Sequence, residues 1–259
     1  MKHLPNILTL GNLFCGCIAI AFIMSSQPYL VELGGVPYWI TGTEQAYWGS
    51  VFIAIAAVLD VLDGLAARTL KLFSPIGKDL DSLADCVSFG VAPSMILFKM
   101  LWAANIAQPD AMEVSMWSMT PAFLVACFGA LRLARFNVSV ATGSTFTGLP
   151  IPAVGIFIAS FPLINLYVPS AGVYFKYTWV LYAIIALVSW LMVSRITFFK
   201  LMPSQWNLKS LWPRLTLLAA AIVLFPFISF AAIPALFVLY IILSLVYRNQ
   251  NTASKQGLE

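Results

Sequence analysis

Apolar segments of about 20 residues recur along almost the whole chain, and each is long enough to cross a bilayer as a helix. Hydrophobic residues make up 61% of the chain and charged residues only 9%, whereas about a quarter of the residues in a soluble domain are charged. The sequence therefore predicts an all-α fold, a polytopic transmembrane helical bundle. Eight spans are predicted, at residues 7–25, 47–68, 82–104, 120–137, 151–168, 177–198, 211–227 and 231–247.

The last two predicted spans share one apolar tract, which Pro226 and Pro234 interrupt. Proline removes a backbone donor and kinks or ends a helix. Two interpretations stay open for this tract: a tight hairpin of two spans, or two kinked helices.

Basic residues predict the orientation of the spans. With the N-terminus inside, 12 of the 14 Lys and Arg residues fall on the cytoplasmic side, as the positive-inside rule requires. The first apolar run is as long as a full span, so we expect a retained helix rather than a signal peptide. The sequence thus predicts two cytoplasmic termini, one membrane domain over residues 1–248, and a polar, disordered tail over 249–259.

The sequence supports neither nucleic-acid binding nor a site built on cysteines. The net charge of +4 is explained by topology, and without a basic run or an aromatic stacking platform we expect no nucleic-acid partner. The four cysteines lie in or beside apolar stretches, and their spacing predicts neither a disulfide framework nor a zinc site. They are Cys15, Cys17, Cys86 and Cys127.

Acidic residues are concentrated where the second predicted span ends and the third begins. Asp60 and Asp63 are three residues apart, and Asp81 and Asp85 are four apart, so each pair shares one face of a helix. The short connection between the two helices predicts an antiparallel arrangement in which the pairs face each other at the cytoplasmic surface. Carboxylates near a membrane are costly and mark functional sites. Asp79 lies off this face and is expected to be solvated.

Four carboxylates so close together repel one another unless protons or hard divalent cations compensate their charge. Oxygen ligands alone favour Mg²⁺ or Mn²⁺ over zinc. Two such cations held side by side suit phosphoryl transfer. The spacing therefore predicts a metal site built by Asp60, Asp63, Asp81 and Asp85.

Residues that suit a phosphate-bearing ligand surround the carboxylates. Gly64 allows a bulky ligand to approach the helix backbone, and Arg68, two turns after Asp60, can neutralise a phosphate. Lys78 lies in the following loop, where it is either a ligand contact or a topology charge. Small or polar residues beside the same ligand are Ala67, Ser74 and Gly77.

Together these residues spell D-x-x-D-G-x-x-A-R-x₈-G-x-x-x-D-x-x-x-D, from Asp60 to Asp85. The pattern resembles the signature of the CDP-alcohol phosphotransferase family. The resemblance implies two divalent cations on the four carboxylates, which hold the pyrophosphate of a CDP-linked lipid, and Asp85 as the general base for the alcohol. It also implies contacts to the CDP-diacylglycerol head group from Asn6, Thr9, Asp63, Gly64, Ala67, Arg68, Ser74 and Gly77.

Four flanking segments resemble, more narrowly, the membrane-integral phosphatidylserine synthases of bacteria. They are residues 5–16, 81–94, 131–137 and 146–153, so the resemblance covers roughly the first two-thirds of the chain. It implies transfer of a phosphatidyl group from CDP-diacylglycerol to L-serine among membrane lipids. It also implies a homodimer in the inner (cytoplasmic) membrane, with the active site at the cytoplasmic face.

A second polar cluster lies at the cytoplasmic end of the fourth predicted span. Arg132 and Arg135 are three residues apart and therefore on one face, where a cationic pair could hold a serine carboxylate or a lipid phosphate. The alternative is a topology role, with both side chains reaching toward the head groups. Asn137 is close enough in sequence to support polar recognition.

Three alternatives are open beside serine transfer. A member of the same family could use glycerol 3-phosphate or inositol phosphate as the acceptor. The phosphate of such an acceptor, added to those of the CDP-linked lipid, would require more cationic residues. An intramembrane prenyltransferase also uses Asp-rich metal sites but does not need the continuation from Gly64 to Arg68. A transporter could use the Asp residues as an ion relay, but such relays are expected nearer the bilayer midplane.

Overall fold

The computed structural model describes residues 4–25, 28–33, 36–41, 43–70, 75–106, 114–138, 145–199 and 208–256. Within these ranges the chain is almost entirely helical, as the apolar segments predict. Five helical segments are long and apolar enough to cross a membrane, or six if one pair of helices bent by 119° counts as a single span. The protein is therefore an integral membrane protein with several spans.

Two small antiparallel sheets of two strands each accompany the helices, and the sequence does not predict them. One pairs β1 with β2, and the other pairs β3 with β4 across a long separation in the chain. The elements, in chain order, are α1 Leu4–Ser25, β1 Pro28–Leu33, β2 Val36–Thr41, α2 Thr43–Thr69, α3 Pro75–Asp85, a π-helix Cys86–Val91, α4 Ala92–Ile106, a 3-10 helix Met116–Phe123, α5 Leu124–Val138, β3 Thr145–Thr147, α6 Ile151–Tyr167, α7 Pro169–Gly172, a 3-10 helix Val173–Lys176, α8 Thr178–Val193, β4 Thr197–Phe199, α9 Leu208–Ile228, a 3-10 helix Ser229–Ala231 and α10 Ala232–Gln256.

The helices α1 and α2 pack side by side in antiparallel directions. Near the start of α1, Thr9 contacts Asp63 close to the end of α2. Near the end of α1, Ile23 packs against Gly49 close to the start of α2, where an added Cβ would lie 2.5 Å from the isoleucine side chain. This arrangement brings the first residues of α1 to the acidic end of α2.

A π-helix directly follows Asp85 and continues α3 into α4. π-Helical turns are rare and often occur at functional sites. Here the wide turn is tightly enclosed, because a Cβ on Gly16 of α1 would collide with Ser88, and a Cβ on Gly155 of α6 would lie 2.9 Å from the Cβ of Phe89. Glycines on both neighbouring helices therefore allow the close packing that fixes the helix beyond Asp85.

The strands β3 and β4 join the start of α6 to the end of α8. The N–H of Gly148 donates to the carbonyl oxygen of Ile196 at 2.8 Å, and the N–H of Leu149 donates to that of Leu191 at 3.1 Å. Gly148 has a φ of +79°, which glycine adopts without a Cβ penalty. The prediction of a helical span over 177–198 is therefore wrong at its end, since α8 stops at Val193.

Residues 211–247 form a helical hairpin, although by length and hydropathy this tract counts as one candidate span. The ring of Phe199 lies 5.7 Å from the guanidinium carbon of Arg214 in α9 and 6.2 Å from the ring of Tyr247 in α10. In a straight helix these two residues would be about 50 Å apart. The chain reverses at Ser229, which has a φ of +48°. Of the two open interpretations, the structure therefore has the tight hairpin.

Other expectations about topology remain predictions. The count of eight spans and the cytoplasmic position of both termini belong to this group, as does the single domain over residues 1–248. The helix α10 continues to Gln256 and so enters the segment 249–259, for which the sequence predicts a disordered tail.

Candidate active site

Four Asp side chains converge where the end of α2 meets α3. One carboxylate oxygen from each of Asp60, Asp63 and Asp81 lies within 4.8 Å of the other two. Asp85, one helical turn after Asp81, interacts electrostatically with all three. The spacing of three and four residues places each pair on one helix face, and the packing of both helices against α1 brings the pairs into one cluster.

The cluster is largely enclosed by protein. Asp63 is 5% exposed and Asp85 is 8% exposed, and charges removed from water require compensation. The Oδ1 atom of Asp81 is buried and has no hydrogen-bond partner among the residues that the structure describes. An acceptor oxygen of this kind fits a hard cation that prefers oxygen ligands. The cluster could therefore hold a metal ion.

The first helix supports one of these carboxylates directly. The hydroxyl of Thr9 donates to Oδ2 of Asp63 at 2.7 Å. The hydroxyl oxygen of Thr9 also lies 3.0 Å from the backbone carbonyl oxygen of Pro5. Asn6, one turn before Thr9, is partly buried on α1. The structure thus brings Thr9, which the resemblance implies as a head-group contact, to the acidic face of α2.

Asn12, one turn after Thr9, is a residue that the sequence reasoning missed. It is fully buried, and its Nδ2 donates to Oδ1 of Asp85 at 3.4 Å. Its backbone carbonyl oxygen accepts a 3.0 Å hydrogen bond from the hydroxyl of Ser88 in the π-helix. The signal that could have identified it is a third polar residue at helical spacing, after Asn6 and Thr9, in an otherwise apolar helix.

Arg68 and Gly64 form a local unit on the exposed side of α2. The Nε atom of Arg68 donates to the carbonyl oxygen of Gly64 at 2.8 Å. A Cβ on Gly64 would lie 3.3 Å from a terminal nitrogen of this guanidinium, so the glycine lets the arginine fold back along the helix toward the carboxylates. Ala67 and Gly77 are partly buried nearby in sequence, and Ser74 lies outside the described residues.

The two arginines predicted to act together lie in different environments. Arg132 is only 8% exposed and interacts electrostatically with Tyr240 and Asp85, whereas Arg135 is exposed. The three-residue spacing therefore does not produce a pair with a shared environment. Of the two, Arg132 is the one that lies buried within the helical bundle.

Asn137 connects α5 to α3. Its side-chain Nδ2 donates to the hydroxyl of Ser82 at 2.8 Å. Its backbone carbonyl oxygen accepts a 2.8 Å hydrogen bond from the Nζ of Lys78. These contacts use the polar groups of Asn137 to hold two helices together. They also give Lys78 a structural contact, which the sequence alone does not predict.

Comparison with protein families finds a match to the model described as CDP-alcohol phosphatidyltransferase. The match covers residues 2–193. It therefore includes all four carboxylates, the supporting polar residues of α1 and both arginines, and it ends before the C-terminal hairpin.

Comparison with individual proteins finds several relatives with the name CDP-diacylglycerol–serine O-phosphatidyltransferase. The protein of Bacillus subtilis is 33% identical over 60% of this chain and 73% of its own length. That of Helicobacter pylori is 32% identical over 79% of this chain and 75% of its own length. That of Mycobacterium leprae is 30% identical over 88% and 69%, respectively.

Proposed function

Because the chain belongs to the CDP-alcohol phosphatidyltransferase family, we propose that it transfers the phosphatidyl group of CDP-diacylglycerol to L-serine and releases CMP. The convergence of Asp60, Asp63, Asp81 and Asp85 at one end of the helical bundle carries this proposal. The names of the relatives from Bacillus subtilis and Helicobacter pylori support serine as the acceptor. Phosphatidylserine is then the lipid product.

The four carboxylates would hold two divalent cations, Mg²⁺ or Mn²⁺. The buried and unpartnered Oδ1 of Asp81 and the hydrogen-bonded orientation of Asp63 support this assignment. Bound there, the cations supply charge neutralisation on the pyrophosphate and on the departing CMP. Asp63 is held in place by Thr9, so its ligand oxygens are preorganised before any cation arrives.

Asp85 acts as the general base in this proposal. It accepts the proton of the serine hydroxyl while the hydroxyl oxygen attacks the phosphorus that bears diacylglycerol. The bond between that phosphorus and the bridging oxygen of CMP breaks, and CMP leaves with the electron pair. Asp85 then returns its proton to solvent. The amide of Asn12 keeps the carboxylate of Asp85 oriented during these steps.

The lipid and its nucleotide are held by residues on the first two helices. Arg68, folded back over Gly64, neutralises a phosphate oxygen. Asn6 and Thr9 lie at the end of α1 that meets this cluster and would contact the cytidine or a phosphate. Ala67 and Gly77 leave room for the head group because their side chains are small.

Arg132 binds the carboxylate of the incoming serine. It is the one lysine or arginine that is buried among the side chains described for this protein, and it interacts electrostatically with Asp85. A single guanidinium matches one carboxylate in charge and in planar geometry. Glycerol 3-phosphate or inositol phosphate would bring a doubly charged phosphate, whereas Arg135 is exposed and is not buried with Arg132.

The proposal includes an arrangement in the membrane. Eight spans with both termini in the cytoplasm would place the carboxylate cluster at the cytoplasmic face of the inner membrane, where CDP-lipids and serine meet. The hairpin at 211–247 supports the even number of crossings because it returns the chain to the side from which it came. A homodimer, expected from the family resemblance, completes the proposal.

An acceptor panel tests the assignment. Purified protein is mixed with CDP-diacylglycerol, Mn²⁺ or Mg²⁺, and one alcohol at a time, and CMP release is measured. We expect release with L-serine and little with glycerol 3-phosphate, inositol phosphate or no acceptor. Release with glycerol 3-phosphate but not with serine would overturn the serine assignment while leaving the family chemistry intact.

A further inference from the structure

A hydrogen bond fixes the π-helix after Asp85 to the first helix of the chain. The hydroxyl of Ser88, which is fully buried, donates to the backbone carbonyl oxygen of Asn12 at 3.0 Å. The helix α1 packs against α3, the π-helix and α4. A Cβ on Gly16 would lie 2.9 Å from the Cα of Ser88, so the glycine lets the two backbones approach closely enough for this bond to form.

Asp85 and Ser88 contact two different groups of the same asparagine. Asp85 directly precedes the π-helix, and Ser88 is three residues further along the chain. The Nδ2 atom of Asn12 donates to Oδ1 of Asp85 at 3.4 Å, while the backbone carbonyl oxygen of Asn12 accepts from Ser88. The position of the Asn12 backbone relative to the π-helix therefore determines whether its amide reaches Asp85.

The contact between the amide of Asn12 and Asp85 is sensitive to small displacements. An N–H···O hydrogen bond usually measures about 2.7–3.2 Å, and a contact of about 3.6 Å is no longer one. The distance from Asn12 to Asp85 is 3.4 Å, so a further separation of about 0.2 Å breaks this contact. The bond from Ser88, at 3.0 Å, has an ordinary length. The stronger bond to the backbone therefore sets the geometry of the weaker one to the side chain.

The side chain of Asn12 depends on its own backbone for its position. Its Oδ1 atom is buried and has no hydrogen-bond partner within the part of the chain that the structure describes. The amide is thus held only through its contact to Asp85 and through the backbone from which it extends. The bond from Ser88 fixes that backbone relative to the π-helix.

We propose that Ser88 is a positioning residue that holds the amide of Asn12 against the carboxylate of Asp85. This inference rests on the proposed function, in which Asp85 is the general base. Without the hydroxyl of Ser88, the carbonyl oxygen of Asn12 keeps its bond within α1 from the N–H of Gly16, so the fold is retained. The π-helix is then free to shift against α1, and Asp85 loses its orientation. Turnover falls, while both substrates bind as before.

The test compares Ser88→Ala with Ser94→Ala. Ser94 is also fully buried, and its hydroxyl donates to the carbonyl oxygen of Gly90 at 2.8 Å and accepts from the N–H of Ala126 at 3.2 Å. It controls for the loss of a buried serine hydroxyl in the same part of the chain, because these bonds go to α5 and to its own helix rather than to α1.

We expect kcat, referred to folded protein, to fall about fivefold in Ser88→Ala, the effect of losing one neutral hydrogen bond. The KM values for L-serine and CDP-diacylglycerol stay within about twofold of wild type, because neither substrate contacts Ser88. Ser94→Ala keeps kcat within about twofold of wild type. A purely structural role of Ser88 would lower the midpoint of thermal unfolding without lowering kcat, and this result would overturn the inference.

A double substitution shows whether Ser88 acts through Asn12. In an Asn12→Ala background, where no amide is left to position, adding Ser88→Ala should change kcat less than about twofold. If the two effects multiply instead, Ser88 acts independently and the inference is overturned. It is also overturned if Ser88→Ala raises either KM in place of lowering kcat, changes nothing, or gives no folded protein.

The outcome for Asp85 separates this inference from the function on which it rests. If Asp85→Asn loses CMP release while Ser88→Ala turns over as fast as Ser94→Ala, only the role of Ser88 fails. If Asp85→Asn stays fully active, Asp85 is not the general base, and the role of Ser88 fails together with the proposed mechanism.

Discussion

The hydroxyl of Thr9 and the carboxylate of Asp63 form a 2.7 Å hydrogen bond between the first helix and the second. Both side chains are buried, with exposures of 4% and 5%. The first helix therefore contributes to the carboxylate cluster, since it sets the orientation of a proposed metal ligand.

Replacing Thr9 with valine keeps the shape of the side chain and removes this hydrogen bond. Residues that orient a metal ligand typically affect metal affinity tenfold or more, so we expect about a tenfold rise in the Mn²⁺ concentration that gives half-maximal CMP release. The matched control is Thr69→Val, because Thr69 is exposed and its hydroxyl donates only to carbonyl oxygens of its own helix. Equal metal requirements in the two variants would contradict the role of Thr9.

Asn12 is expected to affect turnover rather than metal binding. Its amide donates to Asp85, so Asn12→Ala should lower kcat about tenfold, and Asn12→Asp should lower it further by adding a fifth carboxylate to the cluster. Asn105→Ala serves as a control, because the amide of Asn105 donates to Ser118 at a distant position in the fold. The idea fails if Asn12→Ala turns over CDP-diacylglycerol as fast as the wild type.

The packing of the π-helix leads to a prediction about stability. A Cβ on Gly16 would collide with the Ser88 side chain and lie 2.9 Å from its Cα, whereas a Cβ on Gly11 would lie 3.4 Å from Leu59, an ordinary contact. We expect Gly16→Ala to lower the free energy of unfolding by about 1–3 kcal/mol, and Gly11→Ala to be neutral or slightly stabilising. Thermal unfolding in detergent measures both, and equal midpoints would contradict the close packing.

The difference in burial between the two arginines on α5 leads to a prediction about acceptor binding. Arg132 is buried and Arg135 is exposed. Arg132→Gln should raise the KM for L-serine at least tenfold, because a charge-assisted, bidentate contact is lost. Arg135→Gln should change it little, since an exposed charge contributes weakly. Steady-state kinetics with varied serine measure both effects, and the reverse order would move the acceptor site to the surface.

Local geometry explains what could be predicted from the sequence. The faces of α2 and α3 follow from residue spacing alone, so Asp60, Asp63 and Asp81 meet as the pattern predicts. The helical class follows from hydropathy in the same way. The roles of these residues in binding metal and substrate stay predictions until they are measured.

Contacts between distant parts of the chain could not be predicted in this way. The approach of Asn12 to Asp85 depends on how α1 packs, and the hydrogen bond of Tyr240 to Phe199 depends on the reversal at Ser229. Arg132 and Arg135 share a helix face by spacing, but only the packing of neighbouring helices decides which is buried. The π-helix also could not be predicted from the sequence, because its residues fit an ordinary apolar α-helix.

The most direct test of the account measures serine-dependent CMP release by purified Asp85→Asn and Asp79→Asn in the presence of Mn²⁺. Asp85 lies in the buried cluster, while Asp79 is an exposed residue of the same helix. The account predicts that Asp85→Asn loses CMP release but still binds CDP-diacylglycerol, that Asp79→Asn retains normal activity, and that excess EDTA abolishes wild-type activity. Full activity of Asp85→Asn, or of the wild type in EDTA, would contradict it.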